Sequence, residues 1–508
     1  MRYWAQHPDR APASLQPSLS LLSRTAGGAP GPSIGGPEPT APGVAFNYRF
    51  NGETLGMPQN EEALAKCATG VLGGINDYRG FFHTASGDGT GWEYSGDSGA
   101  HLTKEGYLPG LSTWGVYLPS GGDPALAARN PGGGCVYYAA SLNYGLDFSD
   151  PSAVVAYRSP KPKLDSACTI CWPVKKIVAR YRHQDTQFAD KEWIAAGPAE
   201  GGGSQVAVSY TLFDTNESSI RVVTCDELLT TCGAPVRLDG ALYFTNDYVQ
   251  FPYVSVGPTG KVYVTWVYWK WQSSTGTYTA ILKGAVYSGG AWGPVRTIRT
   301  EDQPVAQGNF ILLGMSPRVA TQAKGAVSPG NRWWVTWDRC ATPLTAYQEC
   351  GDADVVARYS DDDGATWSSL IAVNNGAGHQ FFPSQPAFDG ASNMVIAYYT
   401  TEYARAGDGF DSRYDTAARF STNAGAATPT FGTVRLTSKS TNPFSDWFGL
   451  SWYFIGDYLS AVTDPGVGYV HSNAEYTKLV PETAECATAG ACEPVNQQDN
   501  YLMKFTYP

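Results

Sequence analysis

Short apolar segments alternate with turns rich in glycine, proline and asparagine along most of the chain. A typical unit is QFPYVSVGPTGKVYVTWVYW from Gln250, in which an apolar segment, a turn and a β-branched or aromatic segment follow one another. This pattern is typical of β-hairpins. No stretch keeps a 3.6-residue apolar period over several turns, so the sequence predicts almost no helix. EEALAKCA, from Glu61, is the best local helix candidate, and we still interpret it as a strand.

The hairpin unit recurs, which predicts the architecture. Copies begin 59 to 74 residues apart, at Glu62, Asp123, Lys191, Gln250, Ser316, Phe382 and Gly456. A repeat of this length fits one four-stranded blade of a β-propeller. We therefore predict an all-β, seven-bladed propeller of four-stranded antiparallel blades, with six blades as the alternative.

The last copy lacks a second hairpin, and this gap bears on how the ring closes. Only DNYLMKFTY follows it, from Asp499. A ring of blades has to close without a free edge, because exposed edges pair with other chains. We expect residues 44–50, VAFNYRF, to supply the outermost strand of the last blade. The N- and C-terminal strands would then close the ring together.

An eight-residue motif occurs at residues 360–367, SDDDGATW. It matches the pattern S-x-D-x-G-x-T-W and places Asp and Ser side chains where they bond back to turn amides, while Gly adopts a left-handed backbone. Degenerate copies begin at Ser95 and Ser421. The motif residues are assigned a structural role: Ser360, Asp362, Gly364, Thr366 and Trp367.

Composition and charge narrow the classes of partner. The net charge is −11 without a basic stripe, which argues against nucleic acid or an anionic membrane as partner. No apolar run is long enough for a membrane span, and no signal peptide is evident. We expect residues 1–43 to be a flexible Gly/Pro-rich leader and residues 44–508 to be one propeller domain, in a monomer.

Ten cysteines, many of them close in sequence, indicate an oxidising compartment, and hence secretion or the cell surface. The expected disulfides are Cys168–Cys171, Cys225–Cys232, Cys340–Cys350 and Cys486–Cys492, with Cys67 and Cys135 left to link the first two blades. The Cys168-x-x-Cys171 spacing also fits zinc or redox chemistry, but further ligands at a characteristic spacing are not found.

The motif and its copies, with GGDPALAA, FFPSQPAF and FIGDYLSAV, resemble the Asp-box (BNR) propellers of the sialidase superfamily over residues 60–475. The resemblance implies a secreted protein that acts on or binds extracellular, anionic glycans. It implies a glycoside hydrolase if the chain is catalytic, and the sequence leaves catalysis open. Two features depart from sialidases: the R-I-P motif is absent, and we expect seven blades where sialidases have six.

The resemblance also implies a set of site residues at the starts and ends of inner strands. Arginines bind a carboxylate in two-pronged fashion, and a tyrosine paired with a glutamate is the sialidase nucleophile. Mapped onto this chain, the substrate-binding residues are Arg79, Arg318, Arg339 and Trp269, and the catalytic residues are Tyr458, Glu192 and Asp123. Tyr399 is the alternative nucleophile and Asp77 the alternative acid/base. The aspartates are equally interpreted as turn caps, and Trp269 as blade core.

Two other functions remain open. A non-catalytic propeller that binds glycans or a protein at a cell surface needs only a shallow aromatic face. A polysaccharide lyase needs a His or Tyr base, for which His379 and Tyr399 are candidates. No cofactor is required, and a structural calcium ion held by axial carboxylates is an alternative.

Overall fold

The computed structural model describes residues 43–52, 57–145, 151–182, 187–303, 309–312, 317–341, 343–344, 349–374, 376–403, 413–438, 440–441, 454–473, 479–480, 495–496 and 498–508. Within these residues the chain forms seven radially arranged antiparallel blades, which confirms the predicted propeller and its blade count. Except for Gly43, the predicted leader lies outside the described residues, and so does the predicted Cys486–Cys492 pair.

Each blade runs from an innermost strand at the axis to an outermost strand at the rim. From inner to outer, the blades are blade 1, β2 (Gln59–Cys67), β3 (Gly70–Asp77), β4 (Thr90–Ser95) and β5 (Lys104–Tyr107); blade 2, β8 (Ala125–Arg129), β9 (Val136–Tyr144), β10 (Ser152–Pro160) and β11 (Val174–Tyr181); blade 3, β12 (Phe188–Pro198), β13 (Ser204–Phe213), β14 (Glu217–Asp226) and β15 (Val236–Leu242); blade 4, β16 (Tyr248–Val256), β17 (Val262–Gln272), β18 (Thr277–Ser288), β19 (Ala291–Trp292) and β20 (Arg296–Gln303); blade 5, β23 (Lys324–Val327), β24 (Trp333–Cys340), β27 (Ala353–Ser360) and β28 (Ile371–Asn374); blade 6, β29 (Gln380–Phe381), β30 (Ala387–Phe388), β31 (Met394–Thr400), β32 (Asp415–Ser421) and β33 (Gly432–Arg435); blade 7, β34 (Ser460–Asp464), β35 (Val467–Ser472), β38 (Tyr501–Thr506) and β1 (Val44–Arg49).

The remaining described elements lie in connections between strands. Strands β6 (Leu111–Thr113) and β7 (Val116–Leu118) form a separate hairpin. The others are β21 (Asn309–Leu312), β22 (Arg318–Ala320), β25 (Pro343–Leu344), β26 (Glu349–Cys350), β36 (Leu479–Val480) and β37 (Val495–Asn496), and the helices are α1 (Tyr78–His83) and α2 (Lys161–Asp165), with 3-10 turns at Pro131–Gly133 and Tyr243–Thr245. No helix among the described residues is long and apolar enough to cross a membrane.

The ring closes as the sequence predicts. Strand β1 is the outermost strand of blade 7 and pairs antiparallel with β38, with Tyr48 opposite Leu502. Blade 7 is tied to blade 1 by His471, whose Nδ1 lies 2.9 Å from the Ala63 carbonyl oxygen while its Nε2 accepts a hydrogen bond from Asn500. The two ends of the chain thus belong to one sheet that packs on the first blade, and neither of those edges is left unpaired.

The second strands of the blades are buried on both faces, because every blade is covered by a neighbour on each side. Strand β24 reads WWVTWDRC and is buried at seven of its eight positions, and β17 reads VYVTWVYWKWQ. Such nearly continuous apolar runs are expected of strands without a solvent face. Trp333, Trp334 and Trp337 are among the largest fully buried side chains.

Residues 360–367 form the tight turn that the motif predicts. Asp362 accepts hydrogen bonds from the backbone and hydroxyl of Thr366 at 2.8 and 2.6 Å, and Ser360 accepts one from the Gly364 amide at 2.8 Å. Gly364 has φ +84°, and the Trp367 ring packs 5.1 Å from that of Trp333.

The degenerate copies keep the same bonds. Asp97 bonds with Ser95 and with the His101 amide, and Asn423 takes the aspartate's place beside Ser421.

Four disulfides are present, between Cys67 and Cys135, Cys168 and Cys171, Cys225 and Cys232, and Cys340 and Cys350. All four pairings were predicted from spacing. The first links the innermost strand of blade 1 to blade 2, and no cysteine in the described residues is free.

The two faces of the ring differ. The upper face holds the connections that lead into each innermost strand, such as residues 108–124. The lower face holds turns such as 96–103 and 361–370, which include the Asp-box motif. Polar side chains that gather around the axis on the upper face form the candidate site.

Candidate active site

The starts of three innermost strands share an irregular backbone. Glu61, Asp123 and Lys191 have φ of 61°, 54° and 52°, in the left-handed region that side-chain-bearing residues rarely adopt. Glu61 and Lys191 lie in β-bulges, where the register of β2 on β3 and of β12 on β13 shifts. Bulges redirect a side chain and are common next to functional sites, and here they bring three charged groups together at the axis.

Lys191 is the centre of this group. Its Nζ lies 2.6 Å from Glu61 Oε1, 3.1 Å from Asp123 Oδ2 and 2.7 Å from Asp457 Oδ2. We refer to Glu61, Asp123, Lys191 and Asp457 as the axial cluster. The side chains of Glu61 and Asp457 are fully buried, whereas those of Asp123 and Lys191 are 15% and 12% exposed. Asp123 is therefore the carboxyl of the cluster that a ligand on the upper face can touch.

A second set of side chains fixes the cluster. Asn76 donates to Glu61 Oε2 at 2.7 Å and accepts from the Asp123 amide at 2.7 Å, so one amide positions both carboxyls. Arg318 Nη2 lies 2.9 Å from both oxygens of Asp457. These contacts come from the second strand of blade 1 and from the connection before blade 5, which explains why no local pattern contains them.

The carboxyls of the axial cluster are driven to opposite protonation states. Burial, and next the Asp123 charge, raise the pKa of Glu61 well above its ordinary value, and the Glu61 carboxyl is hydrogen-bonded to Asp123. Burial would also raise the pKa of Asp457, but the charges of Arg318 and Lys191 lower it to about 2. Lys191 stays charged, because its three carboxyl partners outweigh burial and raise its pKa. A protonated carboxyl beside ionised ones is the arrangement that acid/base catalysis uses.

Two further residues extend the site. Burial, and then the Asp123 charge, raise the pKa of Asp190 to about 6, although Asp190 accepts a hydrogen bond from Gln250 at 2.8 Å. Lys324 is buried with its Nζ 5.4 Å from the centre of the Tyr253 ring, and burial lowers its pKa to about 7. Because Lys324 carries less than a full charge at neutral pH, it does little to offset the carboxylates around it.

Three predicted catalytic residues meet at this place. Tyr458 follows Asp457, is buried, and donates a hydrogen bond to the Pro124 carbonyl at 2.8 Å. Its pKa is raised by burial and by the charges of Glu61, Asp123 and Glu192. Glu192 is buried without a hydrogen-bond partner in another described residue, and burial followed by the Asp123 charge raises its pKa well above normal. The structure thus brings Tyr458, Glu192 and Asp123 together, and their catalytic roles stay predictions.

The predicted arginine clamp is not assembled in this way. Arg318 lies at the axial cluster, but Arg79 pairs with Asp77 at 2.8 Å in blade 1 and Arg339 pairs with Asp354 at 3.2 Å in blade 5. Each of the two is neutralised by a carboxylate of its own blade. Asp77, the alternative acid/base, serves as the N-cap of α1 by accepting from the Arg79 amide.

Trp269 and Tyr399 lie in the protein interior. Trp269 is fully buried and stacked on Tyr248 with ring centres 6.1 Å apart, so it belongs to the core of blade 4 and does not face a ligand. Tyr399 is also fully buried and donates to Asn473 at 2.7 Å. His379 is a mostly buried residue before β29.

Glu61 was missed by sequence reasoning although a signal existed. When the copies of the repeat are aligned on their apolar segments, ALA of residues 63–65 matches ALA of residues 125–127, and Glu61 falls opposite Asp123 and Lys191. The first copy was started at Glu62, one residue late. The equivalent residues Phe251 and Phe382 share the left-handed backbone, with φ of 59° and 47°.

Metal binding at the axis stays a proposal. No group of three or more His, Cys, Asp and Glu side chains suited to a metal ion is found within the described part of the chain. Three carboxyls that might be expected to hold calcium instead surround the Lys191 ammonium, which supplies the positive charge.

No protein-family model and no curated protein matched the chain. Solved structures that matched include an α-L-arabinanase of Penicillium chrysogenum complexed with arabinobiose, at 11% identity and a TM-score of 0.43 over 78% of this chain and 99% of that one. The polysaccharide lyase Uly1 matched at 8% identity and 0.44, over 88% and 90%. A Trypanosoma rangeli sialidase matched at 10% and 0.35, over 88% and 55%. All three TM-scores are below 0.5, so a function has to be argued from the chain's own site.

Proposed function

We propose that this chain is a glycoside hydrolase acting on extracellular glycans, with Asp123 as the acid/base carboxyl. The observation that supports the proposal is the axial cluster, in which Asp123 is partly exposed on the upper face and hydrogen-bonded to the protonated Glu61. Glycosidases use a pair of carboxyl groups, one protonated and one ionised, around an oxocarbenium-like transition state. Glu61 is then the buried carboxyl that shares its proton with Asp123.

The charge of the site favours an uncharged sugar at the point of cleavage. Lys191 is already paired with three carboxyls, and Arg318 with Asp457. A carboxylate on the substrate would therefore compete with Asp123 and Asp457 for the same cations. The ionised carboxylates that remain would instead stabilise the positive charge of the transition state.

The four disulfides favour an oxidising compartment, so we place the protein and its substrate outside the cell. This proposal concerns the protein as an enzyme, and a monomer is sufficient for it, because all members of the axial cluster come from one chain.

The test is turnover of a panel of methylumbelliferyl glycosides of uncharged sugars by the wild type, Asp123→Asn and a control, Asp464→Asn. Asp464 pairs with Lys66 on the lower face, so its loss removes a carboxylate far from the cluster. We expect Asp123→Asn to lose about 10²–10⁴-fold in kcat/KM and the control to retain activity. Absence of turnover of every glycoside and of intact polysaccharides, or equal activity of Asp123→Asn, would overturn the proposal.

A sialidase-type reaction is the second candidate, because Tyr458, Glu192 and Asp123 lie together. In that reaction Glu192 would take the proton of the Tyr458 hydroxyl as it attacks the sugar. An aryl α-sialoside in the same panel, turned over by the wild type and not by Tyr458→Phe, would favour this candidate. Turnover of uncharged glycosides by Tyr458→Phe at the wild-type rate would count against it.

A further inference from the structure

The tip of the β6–β7 hairpin carries a tryptophan in an unfavourable position. Trp114 and Gly115 have φ of 49° and 81°, so both central residues of the two-residue turn are left-handed. Such turns favour Asn, Asp or Gly, and a bulky residue there is strained. Trp114 is nevertheless 40% exposed, so burial does little to compensate for the strain. A local rule broken without a packing gain points to a functional residue.

Two arginines lie over this tryptophan. The guanidinium carbons of Arg180 and Arg182 lie 4.4 and 4.9 Å from the centre of the Trp114 ring. Both side chains are exposed, and Arg180 also donates to Thr113 Oγ1 at 3.1 Å. Among the described residues neither arginine has a carboxylate partner. Other exposed cations do have one, since Arg237 pairs with Glu217 at 2.7 Å.

We propose that Trp114, Arg180 and Arg182 form a subsite for an anionic sugar unit of a polysaccharide. Guanidinium groups bind carboxylate and sulfate through paired N–H donors, and they stack on aromatic faces, which holds their forks in place. The exposed indole offers an apolar surface for the face of a sugar ring. An anion between the two guanidiniums also relieves the repulsion between them.

The subsite fits a polysaccharide better than a nucleic acid. Two arginines and one aromatic ring match one charged unit, whereas nucleic acid presents a continuous row of phosphates to a protein that here carries a net charge of −11. The hairpin also lies in residues 108–124, the connection that ends at Asp123. Resting on the proposed function, this places an anionic unit at the hairpin and the cleaved, uncharged unit at the axis.

The experiment is affinity electrophoresis of the full chain through gels that contain alginate, heparin, dextran or duplex DNA. The variants are Trp114→Asn and Arg182→Gln, with Arg237→Gln as the matched control. Asparagine favours the left-handed turn, so Trp114→Asn removes the ring without breaking the hairpin. Arg237→Gln changes the net charge by the same amount as Arg182→Gln, at an arginine outside the subsite.

We expect alginate or heparin to retard the wild type and the control, and both subsite variants to bind about tenfold more weakly. Dextran should not retard any of them. Equal retardation of all four proteins, retention by DNA alone, or retention by dextran that Trp114→Asn alone abolishes would overturn the proposal.

Asp123→Asn separates this proposal from the proposed function, because it should lose turnover and keep binding. If the wild type binds alginate or heparin through Trp114 but hydrolyses no glycoside, the proposed function fails and the subsite stands. If it hydrolyses uncharged glycosides while the subsite variants bind like the wild type, the reverse holds.

Discussion

The axial cluster and the 360–367 turn are both built on aspartates, yet they are held in opposite ways. Asp362 is exposed to water and bonded to Ser360 and Thr366, residues two and four positions away. Asp457 is buried, and its partners Lys191 and Arg318 come from distant parts of the chain. One aspartate is satisfied by its own loop, and the other depends on the closure of the whole ring.

The two aspartates reach the same acidity by different means. Hydrogen bonds from Thr366 and Ser360 lower the pKa of Asp362 to about 2. The charges of Arg318 and Lys191, acting against burial, lower the pKa of Asp457 to about 2. If a partner is lost, water replaces it at Asp362, whereas Asp457 is left as a buried charge. The same pKa therefore hides a large difference in what a mutation costs.

The largest effect is expected from Lys191→Met. Removing the ammonium leaves three carboxyls without their shared cation, and breaking a buried ion pair costs about 3–5 kcal/mol. The matched control is Lys261→Met, which removes the partner of the exposed Asp363 and should cost less than about 1 kcal/mol. Urea unfolding of the two variants measures the difference. Equal losses would show that the axial cluster is not held by Lys191.

The pH dependence of stability should have opposite signs in the two regions. The folded pKa of Asp190 is about 6, above the ordinary 3.8, so its contribution is present below about pH 4 and is lost as the pH rises through 6. The folded pKa of Asp362 is about 2, so its contribution is present above about pH 4 and is lost as the pH falls through 2.

Asp190→Asn should therefore flatten the fall of unfolding free energy between about pH 4 and 6, and Asp362→Asn should flatten it between about pH 4 and 2. Urea unfolding in a series of buffers measures both slopes, and each variant serves as the control for the other. Slopes that change in the same window would contradict the assignment.

Two left-handed glycines give a smaller effect that separates stability from activity. Gly364 has φ +84°, and a Cβ there would lie 2.9 Å from the Trp333 ring. Gly122 has φ +102°, and its Cβ would lie 2.7 Å from Asn76 Oδ1, which positions Asp123. Each change to alanine should cost about 1 kcal/mol or somewhat more.

Only Gly122→Ala should also lower kcat/KM, because it displaces the amide that positions Asp123. Unfolding curves and initial rates on the same samples check this expectation. A loss of activity in Gly364→Ala as large as that in Gly122→Ala would mean that activity only reports stability.

The sequence allowed the local region to be predicted in more detail than the distant one. The 360–367 turn is contiguous, so its bonds follow from one motif. The hairpin repeat gave the blades, and the missing last hairpin led to the strand at residues 44–50. Tyr458, Glu192 and Asp123 were expected together because the starts of innermost strands meet at the axis of any propeller. Their catalytic roles still await the tests above.

The rest of the site could not be read from local pattern. Arg79 and Arg339 were grouped with Arg318 by charge, but their partners Asp77 and Asp354 are fixed only by tertiary structure. The alternation around Trp269 fits either face of a strand, and burial decides between them.

The most direct test of the central claim, that Asp123 donates a proton to the leaving group, compares two leaving groups on one sugar. Methylumbelliferyl glycosides need protonation as the bond breaks, whereas dinitrophenyl glycosides leave with little help. The wild type and Asp123→Asn would be compared on both substrates, with Asp464→Asn as the control. We predict that Asp123→Asn loses about 10²–10⁴-fold in kcat/KM on the methylumbelliferyl glycoside and far less on the dinitrophenyl glycoside. Equal losses on both substrates, or no loss on either, would contradict the account.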